Sequence, residues 1–168
     1  LIKYEKLKTY ELVNSYATVT GHHTPLHDYL PGQESTSKCV NWLINKKVPA
    51  KKLIIGAAMY ARVWENVPNN NNGLYQDGKF KQGLSYSLFT KFFSDTAGFK
   101  YYWDSDAKAP YYYSATKKLF ATFDDKRSIQ EKTGYIRNKK LGGIMFWELP
   151  DDLKKDGLVD EMSRGLKN

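Results

Sequence analysis

Two continuous apolar runs, KLIIGAAM at 52–59 and LGGIMF at 141–146, stand out from a chain that elsewhere mixes polar and apolar positions. Runs this short, without alternation, predict strands buried on both faces, as in a parallel sheet. Helical spacing surrounds them. Residues 35–47 place Val40, Leu43 and Ile44 on one stripe, with Ser35 or Thr36 as cap and Lys46-Lys47 at the C-terminal end, where cations are favoured. Cys39 falls in the same pattern and reads as a small buried hydrophobe. Ser128-Ile129-Gln130-Glu131 has the spacing of a capping box and predicts a helix to about Lys139. A closing helix over 153–166 carries Leu158, Met162 and Leu166 on one stripe.

The remaining segments read differently. Residues 13–34, with Gly21, Pro25, Pro31 and Gly32, predict a loop, and the Asn- and Gly-rich 66–83 predicts a turn-rich excursion. Residues 85–94 suit a short helix. Residues 99–104, 109–114 and 118–123 are separated by turn residues and predict a small antiparallel sheet. The order is that of parallel β/α units interrupted by an α+β insertion, an α/β fold. Polar and aromatic residues gather just past the two apolar strands: Tyr60, Arg62 and Trp64 after the first, Trp147 and Glu148 after the second. In α/β barrels the C-terminal strand ends carry the active site.

The 168 residues bury one sizeable core, and 41% hydrophobic against 26% charged residues describes a globular chain. No run approaches the ~20 apolar residues of a membrane span, and no basic-then-apolar leader opens the chain. A single cysteine excludes an internal disulfide and a cysteine metal cluster. The net charge of +8 resides in scattered lysine pairs without a nucleic-acid motif, which favours solvated faces over a nucleic-acid partner. Aromatics reach 15%, with 13 Tyr and 4 Trp. Such rings can stack on the apolar face of a pyranose. His22-His23 is a poor metal pair, because adjacent side chains rarely converge without further ligands.

GGIMFWEL at 142–149 resembles the last barrel strand of family 18 glycoside hydrolases, the chitinase family. KLIIGAAMYARVW at 52–64 resembles the preceding strand. YYWDSDAKAPYYY at 101–113 and LFATFDDKRSIQEK at 119–132 resemble the family's insertion and the helix after it. KTYE at 8–11 is similar to a degraded form of the M-T-Y-D motif of strand six. The resemblance implies a partial TIM (β/α)8 barrel, about strands six to eight. Barrel parts at 1–64 and 126–168 would flank an α+β insertion at 65–125. A full barrel takes about 250 residues.

The resemblance also implies a function. The parent would cleave β-1,4-linked N-acetylglucosamine polymers by substrate-assisted, retaining hydrolysis, with no cofactor and no metal. The catalytic D-x-x-D-x-D-x-E motif is absent from this chain, so it supplies no catalytic residue and is expected to be inactive alone. Trp147 would form the floor of the sugar site. Tyr10 would hydrogen-bond the acetamido oxygen, with Glu11 beside it where the family has Asp. Tyr60, Arg62 and Glu148 would line the groove. The partners implied are chitin or its oligosaccharides and the missing N-terminal half of the barrel or a second copy, with no nucleic acid and no membrane. The setting implied is secreted or cell-surface. The alternative is a non-catalytic chitin-binding lectin of the same family.

Overall fold

The computed structural model describes residues 3–167, which form two sheets with helices packed around them. The first sheet has three parallel strands in the order β1 (Glu5–Lys6), β2 (Leu53–Ala58) and β8 (Gly143–Trp147). Between β1 and β2 runs helix α1 (Thr36–Asn45), capped by Ser35, whose hydroxyl accepts the Lys38 amide at 3.1 Å. Its Val40 meets Leu53, Ile55, Tyr135 and Ile136 in the core behind the sheet. Cys39 is half-buried, less than its place in the apolar stripe predicts.

The second sheet is antiparallel, in the order β4 (Lys79–Ser85), β3 (Tyr60–Glu65), β7 (Leu119–Thr122), β6 (Ala109–Ser114), β5 (Lys100–Asp104). The last three strands match the expected meander. The other two differ from expectation. Residues 60–64 leave the parallel sheet and pair with β4 and β7. Within the excursion expected to be turns, Lys79–Ser85 forms an edge strand. Its Lys79, Lys81 and Gly83 are exposed, while Leu84 packs with Ala61 on one face and Phe80, past a bulge, with Trp64 on the other, so pairing and burial override the weak strand propensity of Lys, Gln and Gly. Both faces of this sheet are packed. Ala61, Val63 and Phe123 lie with Phe93 on one face, and Trp64, Tyr111, Tyr113 and Phe120 on the other. Tyr112 stacks on Phe93 at 4.8 Å on the first face, so the tyrosine triplet alternates between two cores.

Helix α2 (Phe89–Phe92) and the 3-10 turn Tyr86–Leu88 before it replace the single helix expected there. Helix α3 (Lys126–Lys139) starts earlier than the sequence pattern indicates. Asp125 is the cap: its carboxylate accepts the Ser128 amide at 2.8 Å, and the Ser128 hydroxyl accepts the Asp125 amide at 3.0 Å. The reciprocal box is therefore Asp125–Ser128 rather than Ser128–Glu131, because a carboxylate at the cap also meets the positive end of the helix. Helix α4 (Leu158–Lys167) starts later than expected, where the Asp152 carboxylate accepts the amides of Leu158 and Val159, both at 2.9 Å. Its Leu158 and Met162 are buried, whereas Leu166 is exposed. Among the described residues no helix is long and apolar enough to cross a membrane.

Met59 is the corner between the sheets. Its amide donates to the Trp147 carbonyl at 2.8 Å, and its carbonyl accepts the Tyr86 amide at 2.8 Å. One residue earlier, the Ala58 amide donates to the buried Asp124 carboxylate at 3.1 Å. Gly56 lets the preceding loop close over β2, since a Cβ there would lie 2.7 Å from the Tyr10 ring and 2.9 Å from the Leu7 carbonyl.

Candidate functional site

The C-terminal ends of β2 and β8 point the same way because the two strands are parallel, with Ala58 opposite Trp147. There the chain forms an open cavity of about 240 Å³, lined by Glu11, Tyr60, Arg62, Ser85, Trp147 and Asp151 among others. Trp147 ends β8 and is 56% exposed, held through its backbone while the indole stays open to solvent. The Trp147–Glu148 peptide is cis.

Glu11 organises the opposite wall. One of its carboxylate oxygens accepts the Tyr60 hydroxyl at 3.1 Å and is ion-paired with Arg62. The other is ion-paired with Lys8 at 2.6 Å. Three donors, two of them cationic, therefore share this one carboxylate. It is equipped to fix Tyr60 and Arg62 rather than to deliver a proton. Arg62 also lies over the Tyr60 ring, with its guanidinium carbon 5.0 Å from the centroid. Burial lowers the Arg62 pKa and raises that of the Tyr60 phenol, so Tyr60 stays a neutral donor.

Four of the six expected site residues, Glu11, Tyr60, Arg62 and Trp147, line this cavity. Tyr10 does not line it. It is buried with Ala58, Tyr60 and Met145, directly beneath the wall, and burial raises its phenol pKa. Glu148 is exposed just past the strand and is not a lining residue. Besides Gly83 and Leu84, two polar lining side chains were missed by sequence reasoning. Asp151 accepts the Ser85 hydroxyl at 2.5 Å, a bond that ties the segment after β8 to the edge strand β4. Asp151 stands four residues after Trp147 in the PDD run, which carried a signal. Ser85 carried none, because the pairing of β4 was not visible.

His22 and His23 sit behind the site, both fully buried. His22 Nε2 lies 3.0 Å from Asp104 Oδ2. Burial favours the protonated Asp104 carboxyl, yet the His22 ring and the amides of Ala107 and Asp106 together outweigh it and bring the pKa down to about 2. The His23 ring packs against Tyr60 at 5.6 Å.

Residues 2–152 match the family described as glycosyl hydrolases family 18. Chitinase A1 of Niallia circulans is 30% identical over 92% of this chain, which covers 25% of that protein. Chitinase B of Serratia marcescens is 27% identical over 73% of this chain and 29% of its own length. Among solved structures, a family 18 N-acetylglucosaminidase from Paenibacillus barengoltzii superposes with a TM-score of 0.88 at 36% identity, over 98% of this chain and 49% of that one. A cell-surface-expressed multi-modular chitinase from a Paenibacillus species gives 0.92 at 33% identity, over 99% of this chain and 20% of that one. The chain thus spans about half the length, or less, of the proteins it matches, and its fold is of the α/β TIM-barrel type. It belongs to glycosyl hydrolase family 18.

Proposed function

We propose that this chain is the C-terminal portion of a chitinase-type glycoside hydrolase acting on β-1,4-linked N-acetylglucosamine polymers. Its three-stranded sheet would be strands six to eight of the barrel, and the antiparallel sheet the insertion. The observation that carries the proposal is the convergence of Trp147, Tyr60, Arg62 and Glu11 on one open cavity at the C-terminal strand ends. In substrate-assisted hydrolysis the acetamido oxygen of the sugar attacks the anomeric carbon, and a protein carboxylic acid protonates the leaving oxygen. This chain supplies the seat for that step. The Trp147 indole offers a flat apolar floor, and Tyr60 and Arg62, fixed by Glu11, offer donors at the rim, with Tyr10 packed beneath them. Glu148, exposed just outside the cavity, would extend the groove. The D-x-x-D-x-D-x-E acid is absent here and belongs to the upstream half of the barrel. A polymeric substrate that cannot enter a cell suits a secreted or cell-surface setting.

The test joins this chain to its upstream sequence and follows N-acetylglucosamine oligomers. Turnover by the joined protein, and none by this chain alone, is expected. Trp147→Ala should weaken oligomer binding about tenfold, the value of one aromatic stacking contact near 1.4 kcal/mol, without altering the melting temperature. Binding without turnover in the joined protein would instead identify the lectin. Unchanged binding in Trp147→Ala would remove the cavity from the reaction.

A further inference from the structure

A second groove, of about 480 Å³, lies on the insertion sheet at the edge opposite the cavity above. The first cavity is bounded by β3 and β4, the second by β5 and the start of the Asn-rich loop. With the strand order β4-β3-β7-β6-β5, three strand spacings, about 14 Å, separate β3 from β5. The second groove is therefore distinct from the first.

The aromatic ring this groove exposes is that of Tyr102, beside a buried Tyr113. The Tyr113 ring is buried, and its hydroxyl donates to the Val67 carbonyl at 3.0 Å. Beside it the half-buried Tyr102 ring stacks on Tyr111 at 5.1 Å, with 14° between the planes. The rim is polar and exposed: Asn69 and Asn72 on one side, Asp95, Lys100 and Thr116 on the other. The Asn side is held by a tight loop. Gly73 has φ +77°, and a Cβ there would sit 2.3 Å from the Tyr113 ring, so the loop is pressed against that buried ring.

We infer that this groove is a second saccharide site, taking a neutral N-acetylhexosamine oligomer; the inference rests on the proposed substrate class. The half-buried Tyr102 ring supplies aromatic surface for the C–H face of a pyranose. The rim supplies two amides and a hydroxyl, each able to donate and accept, which matches hydroxyl and acetamido groups. Its two charges, Asp95 and Lys100, cancel, so the groove favours a neutral polyol over a polyanion. A chain-like substrate could occupy both grooves of one molecule or be held at the second while the first works, and either raises retention on an insoluble polymer by effective concentration.

The test titrates an N-acetylglucosamine hexamer into the protein by calorimetry and measures retention on chitin particles. Asn69 and Asp95 are exposed, so Asn69→Ala/Asp95→Ala should fold as the unmodified protein does, which an unchanged melting temperature checks. The unmodified protein is expected to show two sites, one lost in Trp147→Ala and the other in the rim variant. Particle retention in the rim variant should fall about fivefold through lost avidity. Tyr102→Ala should reproduce the rim variant. A single site lost in Trp147→Ala would overturn the second site and leave the proposed function standing. Absence of any sugar binding in the unmodified protein would overturn both.

Discussion

His23 illustrates how much one buried titratable residue can govern. It is fully buried against Tyr60, and burial, with Asp124 favouring and Lys132 opposing its charge, pushes its pKa down to about 3. An unfolded chain binds that proton near pH 6.5. Between about pH 6.5 and 3 the unfolded state therefore holds more protons than the folded one, and stability falls as pH falls, by about 1.4 kcal/mol per pH unit from this group alone. Half-buried His27, also lowered by burial, acts in the same direction. Urea midpoints between pH 7.5 and 5 should fall steeply for the unmodified chain and less steeply for His23→Phe. Parallel slopes would contradict this account. At the same scale, Glu11 carries more than its motif suggests. Its carboxylate reaches both Tyr60 and Arg62, while Lys8 adds a third donor.

Among the elements, the joint between the two sheets rests on a buried ion pair. Asp124, at the end of β7, and Lys132, on α3, are both fully buried and lie 2.7 Å apart. The Asp124 carboxylate also accepts from Ala58, Thr24 and Ser128, at 3.1, 2.9 and 2.7 Å. It thereby ties β2, the 13–34 loop and α3 at the corner that aims Tyr60 into the cavity. The two partners are not equivalent. Removing Lys132 leaves Asp124 with three donors, whereas removing Asp124 leaves the Lys132 ammonium with the Thr24 hydroxyl. Asp124→Leu should therefore cost about 3–5 kcal/mol, and Lys132→Met clearly less, by denaturant unfolding at pH 7. Equal losses would mean that the shared donors contribute nothing.

Much of this element level was legible in the sequence. The two apolar runs gave the paired parallel strands, and the turn-separated triplet gave β5, β6 and β7. The cap of α3 was misplaced because Ser128 reads as a cap from spacing alone, while Asp125 does so only once its approach from β7 is known. Strand β4 was hidden because its stability comes from pairing with β3 rather than from its own residues. Its absence in turn hid Ser85, and with it the bond to Asp151.

As a whole molecule, the chain presents a parallel sheet with two open edges. Strand β1 pairs only with β2, and β8 only with β2, so each leaves a row of backbone groups without a strand partner among the described residues. On β8, Ile144, Met145 and Phe146 are only half-buried, and Trp147 and Leu149 just beyond them are exposed. Apolar side chains flanking an open strand edge favour edge-to-edge pairing. A closed barrel removes both edges at once. If the sheet is strands six to eight of that barrel, the upstream half should bind this chain and stabilise it by mass action, raising the melting temperature as its concentration rises above the dissociation constant. Alone, the chain should associate with itself, with a weight-average mass that climbs with concentration in analytical ultracentrifugation. Replacing Ile144 and Phe146 with Ala would remove apolar area at the edge and should lower both effects together. A chain that stays monomeric at every concentration, and melts at the same temperature with or without the upstream half, would show that its edges are already protected and that the half-barrel is a complete fold.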